Sequence, residues 1–226
     1  GCQTVQTTNP GTVGVPREQR MLVSEEEVQK AAAQGYNQVV QEAKAKGVLN
    51  KDEALVARVR NVAQRLIPKT ATFRPDAPGW PWEVNVLRSD ELNAFAMPGG
   101  KIMVYSGIIE KLKLSDAELA AILGHEIAHA LREHSRERIS RAYAQQLALA
   151  GVGVATGAGQ GTIQLANMVA SVTFQLPHSP EQEAEADRIG LELSARGGYD
   201  PSAAVSLWQK MIAEDRGGGP EFLSTH

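Results

Sequence analysis

The chain has 226 residues and a mass of 24.3 kDa, with 42% hydrophobic and 22% charged residues. These proportions are typical of one globular domain and exclude a chain that is disordered throughout. A net charge of −3 and an isoelectric point near 6.0 argue against nucleic-acid partners, which usually require a basic face. No apolar run of about 18 residues indicates a transmembrane helix. The single cysteine excludes an internal disulfide and a multi-cysteine zinc site.

Residues 1–23 are predicted to form a flexible N-terminal tether, and residues 24–226 to form the folded domain. The stretch from Gln3 to Val15 is rich in Thr, Gly, Pro and Gln, which favour an unstructured linker. Gly1-Cys2 matches the point at which a bacterial lipoprotein signal is removed and the cysteine is lipidated. We therefore expect a lipid on Cys2 to attach the chain to a membrane of the bacterial cell envelope. A free terminal thiol without a role is the alternative.

The remaining chain is predicted to be mainly α-helical with one small β-sheet, an α+β fold. Capping residues followed by Glu, Gln or Pro mark five helix starts, at Ser24, Asn50, Ser115, Ser179 and Asp200. Gly47 and Pro68 are expected to end the first two helices. The sequence from Trp82 to Leu87 alternates like a strand. The region from Ala94 to Ile109 indicates two short extended runs around Pro98-Gly-Gly.

The most informative motif, Gly124-His-Glu-Ile-Ala-His-Ala, lies inside the third predicted helix. His125 and His129 are four residues apart, so their imidazoles project from one face and can share a metal ion. Glu126 lies about 100° around the helix, where it can take a proton from a water molecule beside that ion. Several neighbouring residues are apolar: Ile122, Leu123, Ile127 and Leu131. Because buried imidazoles need partners, a zinc site is favoured over two solvated histidines.

Two other histidines are predicted to have no part in this site. His134 follows His129 by five residues, about 140° around the helix, so it is expected to point away from the metal. The arginines around it indicate a solvated surface. These arginines are Arg132, Arg136 and Arg138. His178 is predicted to be a loop residue. The segment 147–175 begins with a run of small and apolar residues and is predicted to form a loosely packed hairpin or a mobile flap over the cleft.

A catalytic zinc ion usually has three protein ligands, so a third must come from elsewhere in the chain. The best candidate segment is the acidic helix start from Ser179 to Asp187. Glu183 and Asp187 are four residues apart and share a face, so one can bind zinc while the other hydrogen-bonds a ligand histidine. Glu185 is expected to face elsewhere, as is Glu181. The alternative is a solvated acidic helix start that the helix dipole favours.

His125-Glu-Ile-Ala-His129 followed by Glu183-Ala-Glu-Ala-Asp187 resembles the HtpX and CAAX-prenyl-protease family of zinc metallopeptidases. The resemblance covers roughly residues 90–226 and includes Asn93-Ala-Phe-Ala. It implies a zincin-like metallopeptidase domain over residues 24–226, with the histidine motif on a buried helix. It also implies that Glu183 is the third zinc ligand and that Asp187 is the partner of a ligand histidine. The chain resembles the soluble or lipid-anchored periplasmic members more than the integral-membrane members, and it is also similar to Oma-type quality-control proteases.

The resemblance extends to Leu223-Ser-Thr-His226, whose histidine lies near the active site in family members. It implies that His226 could help to hold the oxyanion, although a histidine in a flexible tail is an equal alternative. Glu126 is then the general base, acting on a water molecule that zinc activates. An edge strand within residues 94–109 is expected to pair with an extended peptide substrate, although a hairpin without a substrate role is the alternative.

We therefore expect a zinc-dependent endopeptidase that cleaves unfolded or misfolded envelope proteins, with one Zn²⁺ per chain and no nucleic-acid partner. A chaperone-like or scaffolding envelope protein with a latent metal site is the main alternative. A zinc hydrolase that acts on a bond other than a peptide bond is a third hypothesis.

Overall fold

The computed structural model describes residues 2–150, 161–214, 222–223 and 226. In these residues the fold is mainly α-helical, as predicted, and has two small sheets where the sequence predicts one. The helices are α1 (Glu25–Ala45), α2 (Glu53–Leu66), α3 (Ser106–Lys111), α4 (Asp116–Leu131), α5 (His134–Ala150), α6 (Gly161–Phe174), α7 (Pro180–Arg196) and α8 (Ala203–Ala213). The strands are β1 (Gln3–Val5), β2 (Gln19–Met21), β3 (Glu83–Leu87), β4 (Ala94–Met97) and β5 (Lys101–Tyr105). Two short 3-10 helices span Ile67–Thr72 and Ala77–Gly79.

The central sheet has the strand order β3-β5-β4. β5 lies parallel to β3 and antiparallel to β4, which makes β4 an edge strand among the described residues and confirms the two extended runs predicted around Pro98. Gly99 and Gly100 have φ angles of +88° and +89°, which favour glycine at this turn. A Cβ atom on Gly100 would also lie 2.6 Å from the Trp82 ring. The second extended run ends sooner than predicted, because residues 106–111 form α3.

Three of the five predicted helix starts are confirmed. Ser24, Ser115 and Ser179 are N-caps whose side chains accept backbone N–H groups, and the last two form complete capping boxes. The prediction for Asn50 is wrong by two residues, because its side chain accepts a hydrogen bond from the backbone of β3, and Asp52 caps α2 instead. The prediction for Asp200 is also wrong by two residues. Its carboxylate accepts a hydrogen bond from the backbone N–H of Ser202, which is the N-cap of α8.

The N-terminal segment does not form the unstructured tether that its composition predicts. β1 pairs with β2 in an antiparallel ladder, with Gln3 opposite Met21. Val15 and Met21 are each only 1% exposed. The backbone N–H of Val13 donates to Glu192 of α7 at 2.9 Å. The strand pairing joins the two ends of this segment, and the contact with Glu192 joins it to a residue distant in the sequence, so local composition could not indicate either.

Helices α4 and α7 cross closely in the centre of the domain. Gly124 of α4 faces Gly190 of α7, and a Cβ atom on Gly190 would lie 2.9 Å from the backbone nitrogen of His125. The hydroxyl of Ser194 donates to the carbonyl of Ala120 at 3.2 Å across the same crossing. Because no side chain separates the helices at the glycines, the acidic first turns of α7 lie beside the histidines of α4.

No helix in the described part of the chain is both long and apolar enough to cross a membrane. Part of the predicted flap, residues 151–160, lies outside the described residues. The rest of that segment includes α6, which packs against α1 and buries Val169 and Val172.

Candidate metal centre

Helix α4 carries both histidines of the motif on a buried face, as predicted. Its start is fixed by Ser115 and Glu118, which cap each other's backbone N–H groups. The Nε2 atoms of His125 and His129 lie 3.0 Å apart, and both residues are buried. The helix therefore presents two imidazole nitrogens at one point.

Helix α7 brings Glu183 to the same point. The two carboxylate oxygens of Glu183 lie 3.0 Å from His125 Nε2 and 2.9 Å from His129 Nε2. Asp187, one turn further along α7, places Oδ1 2.9 Å from His125 Nδ1. The structure therefore brings together the residues proposed from the sequence, with Glu183 between the imidazoles and Asp187 behind one of them.

The chemistry of these groups fits a bound cation. Since the carboxylate of Asp187 accepts a hydrogen bond from the Nδ1–H group of His125, the Nε2 of a neutral His125 carries a lone pair. That lone pair faces an oxygen of Glu183, which is itself an acceptor. Burial opposes a charge on His125, but Asp187 and Glu183 outweigh it and raise its pKa. In the described part of the chain, Glu183 Oε1 is buried without an aligned hydrogen-bond donor.

The donor atoms lie about 0.4 Å closer together than the ligands of a tetrahedral zinc ion. Donors around a tetrahedral zinc ion, with bonds of about 2.0–2.1 Å, lie about 3.3–3.4 Å from one another. The three separations among His125 Nε2, His129 Nε2 and the carboxylate of Glu183 are 2.9–3.0 Å. Two nitrogens and one oxygen are a donor set that zinc prefers.

Glu126 and His226 lie together beside this cluster. Glu126 is 1% exposed, and its Oε1 lies 2.5 Å from Nε2 of His226. The other ring nitrogen of His226 lies 2.9 Å from the carbonyl oxygen of Phe222, and the two rings stack with their centroids 3.9 Å apart. One ring nitrogen of His226 also lies within 4.8 Å of those of His125 and His129, so His226 could itself hold a metal.

All five histidines of the chain contribute to one cluster, including two that the sequence did not place there. His178 stacks on His129 with ring centroids 3.7 Å apart, and its Nδ1 lies 3.3 Å from Glu183 Oε1. His134 is completely buried, and its Nδ1 lies 2.8 Å from His129 Nδ1. The prediction that His134 points away into solvent is wrong. Glu133 has a φ angle of +52° between α4 and α5, so the helix does not continue through His134.

A buried charged network lies behind His134. The carboxylate of Glu185 accepts from His134 Nε2 at 2.9 Å and from Arg132 at 2.9 Å, which corrects the predictions that Glu185 faces elsewhere and that Arg132 is solvated. Arg17 of the N-terminal segment joins Glu185 to Glu137 through paired hydrogen bonds of 2.6–2.9 Å. Burial lowers the pKa of His134 to about 4, despite the opposing effect of Glu185, so this imidazole is neutral near pH 7.

Because of this buried network, we expect the folded chain to lose stability in acid. Burial opposes ionisation of Glu137 and Glu185, but hydrogen bonds from Arg17 and their other donors outweigh it and hold both pKa values at about 2, below the usual 4.5. Both pKa values are lower in the folded chain than in the unfolded chain. This contribution to stability is therefore fully present above about pH 4.5 and is lost as the pH falls towards about 2.

Urea unfolding of the wild type in the presence of a chelator should show the free energy of unfolding falling between about pH 5 and about pH 3. In Arg17→Met the fall should be smaller by roughly 1–2 kcal/mol, because the carboxylates lose the donor that lowers their pKa values. The same pH dependence in both proteins would show that Arg17 does not set these pKa values.

An apolar cavity of about 250 Å³ is lined in part by His125. Its walls come from α4, α7, α8 and Phe222. Trp208 and Met211 contribute apolar surface, whereas Asp187 is one of its few charged groups. The site therefore has apolar space next to one of its imidazoles.

The arrangement is of the class that metal-dependent peptidases use: two helical histidines, a carboxylate from a second helix and a buried glutamate beside them. The sequence model of peptidase family M48 matches residues 53–226. This chain therefore belongs to peptidase family M48, which confirms the resemblance found in its motifs.

Curated relatives agree with this assignment. The chain is 39% identical over 149 residues to the mitochondrial metalloendopeptidase OMA1 of Schizosaccharomyces pombe, covering 64% of this chain and 42% of the relative. It is 31% identical over 235 residues to metalloendopeptidase OMA1 of Bos taurus, covering 93% of this chain and 42% of the relative. It is 27% identical over 200 residues to the beta-barrel assembly-enhancing protease of Yersinia pestis, covering 83% of this chain and 39% of the relative. The chain thus spans about two fifths of the length of these relatives.

Proposed function

We propose that this chain is a zinc-dependent endopeptidase. The observation that carries the proposal is the meeting of two imidazole nitrogens and one carboxylate within 3.0 Å of one another, beside a buried glutamate. His125, His129 and Glu183 would hold the ion. When bound, zinc supplies Lewis acidity, which acidifies a water molecule and polarises a peptide carbonyl. Zinc is favoured by the donor types, since imidazole with carboxylate suits a tetrahedral ion.

Glu126 has the position that a general base needs. It follows the first ligand in the helix, and the apolar surroundings of α4 exclude bulk water from its carboxylate. Glu126 takes a proton from the attacking water and later delivers it to the leaving amine. We assign to His226 a role in holding the developing charge on the carbonyl oxygen, because its Nε2 lies beside Glu126.

The proposed substrates are unfolded or extended polypeptides of the bacterial cell envelope. β4 is an edge strand that contacts α4, the helix with the histidines, so an extended peptide can pair with it. The apolar cavity beside His125 suits apolar side chains, which unfolded polypeptides expose. The name of the Yersinia pestis relative refers to β-barrel assembly, whereas the OMA1 relatives are mitochondrial proteins. Cys2 is exposed, and its lipidation stays a prediction.

Metal analysis together with cleavage of unfolded casein tests the proposal. The purified protein should contain about one zinc ion per chain. A chelator should abolish casein cleavage, and added zinc should restore it. Zinc without cleavage would favour the scaffolding or latent alternative, and cleavage of ester or amide compounds but not of peptides would favour the third hypothesis. Absence of zinc binding would overturn the site assignment.

A further inference from the structure

His125 and His129 face the site in the same way but are supported differently. In each ring, Nδ1 is the nitrogen that does not face Glu183. Nδ1 of His125 lies 2.9 Å from Oδ1 of Asp187, a carboxylate. Nδ1 of His129 lies 2.8 Å from Nδ1 of His134, a second imidazole. A histidine that binds a metal usually donates its other N–H to a carboxylate, a carbonyl or water. A neutral imidazole in that place is unusual, because it can either donate or accept through the nitrogen that faces His129.

The partners of His134 decide which nitrogen carries the proton. Glu185 Oε1 lies 2.9 Å from His134 Nε2, and a carboxylate only accepts, so Nε2 carries the proton. Nδ1 of the neutral ring is then an acceptor, and His129 must donate to it from its own Nδ1. As a result, His129 Nε2 is left without a proton. This is the nitrogen that lies 2.9 Å from Glu183 and 3.0 Å from the corresponding nitrogen of His125.

Glu185 is held in place by hydrogen bonds from two arginines. Its two oxygens accept from Arg17 at 2.8 and 2.9 Å, and Oε2 also accepts from Arg132 at 2.9 Å. Arg132 has no exposed side-chain surface. Because both oxygens of Glu185 already accept from guanidinium N–H groups, His134 Nε2 is the donor in its contact with Glu185, which sets the direction of both hydrogen bonds.

We propose that His134 is a positioning residue of the metal centre, which fixes His129 in the tautomer whose Nε2 binds the ion, with Glu185 fixing His134 in turn. The inference rests on the metal site proposed above and does not depend on the bond that the enzyme cleaves. A residue that only fills space at this position would pack as well without an acceptor nitrogen. His134→Phe keeps a ring of similar size without an acceptor, whereas His134→Asn keeps an acceptor close to the position of Nδ1.

Zinc affinity, measured by competition with a chromophoric chelator, separates the two variants. His134→Phe should weaken zinc binding by about 10–100-fold, and His134→Asn should recover most of that loss. Ser140→Ala is the matched control. Ser140 is buried on the same helix, but its hydroxyl accepts from the backbone of residues 22 and 23 rather than from a histidine. This control should lose thermal stability without a change in zinc affinity. Equal zinc affinities in all four proteins would overturn the proposal.

Nitrogen NMR of the ¹⁵N-labelled full chain gives a second readout that needs no variant. The proton between the two rings should be bonded to His129 Nδ1 and should show scalar coupling to His134 Nδ1 across the hydrogen bond. The other proton of the His134 ring should be on Nε2. A proton found on His134 Nδ1, or on His129 Nε2, would overturn the proposal even if the Phe variant fails to fold. Because the tautomers are observed directly, this result is independent of whether casein is cleaved.

Discussion

Replacing Glu126 by Gln is expected to slow casein cleavage by about 10²–10⁴-fold while zinc remains bound. The substitution keeps the shape of a side chain that is 1% exposed and removes its ability to accept a proton from water. Nε2 of His226 lies 2.5 Å from the carboxylate of Glu126, and an amide fills the same volume beside it. The packing of α4 should therefore be preserved, and the loss should appear in kcat rather than in zinc content.

Glu181→Gln is the matched control for this experiment. Glu181 is an exposed glutamate in the first turn of α7, close in sequence to Glu183 but outside the cluster. The control should keep wild-type cleavage and wild-type zinc content. If Glu126→Gln retains full activity with zinc bound, Glu126 is not the general base. If it loses zinc as well as activity, the carboxylate has a structural role that its position does not indicate.

The local parts of the site could be predicted from the sequence because they depend on spacing within one helix. His125 and His129 must share a face at four residues apart, and the same rule places Glu183 and Asp187 together on α7. The start of each helix is also local, since Ser115 and Ser179 are each followed three residues later by a capping partner. That the two helices meet follows from the need for a third zinc ligand and from the family resemblance, not from the spacing within either helix.

The remaining parts depend on contacts that spacing does not encode. The sequence has neither glycine nor proline between His129 and His134, so nothing marks the end of α4 there; the positive φ of Glu133 is a tertiary effect. His178 precedes Glu183 by five residues, and this short spacing could have indicated that His178 lies near the site. Its stacking on His129, however, joins segments distant in the sequence. Arg17 lies in the segment predicted to be a flexible tether, and its guanidinium pairs with Glu137 and Glu185, which lie far along the chain.

Gly190→Ala is expected to have the second large effect, because the glycine sets the distance between the two helices of the metal site. A Cβ atom there would lie 2.9 Å from the backbone nitrogen of His125 and 3.0 Å from the carbonyl carbon of Gly124. Backbone atoms cannot rotate away as a flexible side chain can, so the helices must separate. Overpacking of this kind costs about 1–3 kcal/mol of stability.

The larger consequence is for function, since Gly190 lies seven residues after Glu183 on α7. Separation of α7 from α4 moves Glu183 away from the imidazoles, and a displacement of about 1 Å can reduce activity by about 10²-fold. Zinc affinity should fall in parallel, which distinguishes this variant from Glu126→Gln. Gly35→Ala is the control, because a Cβ on Gly35 of α1 has no atom within 4 Å. It should stabilise the protein by about 0.5–1 kcal/mol and leave cleavage unchanged. If Gly190→Ala binds zinc and cleaves casein like the wild type, the helix crossing tolerates more separation than its backbone contacts indicate, and the position of Glu183 is set elsewhere.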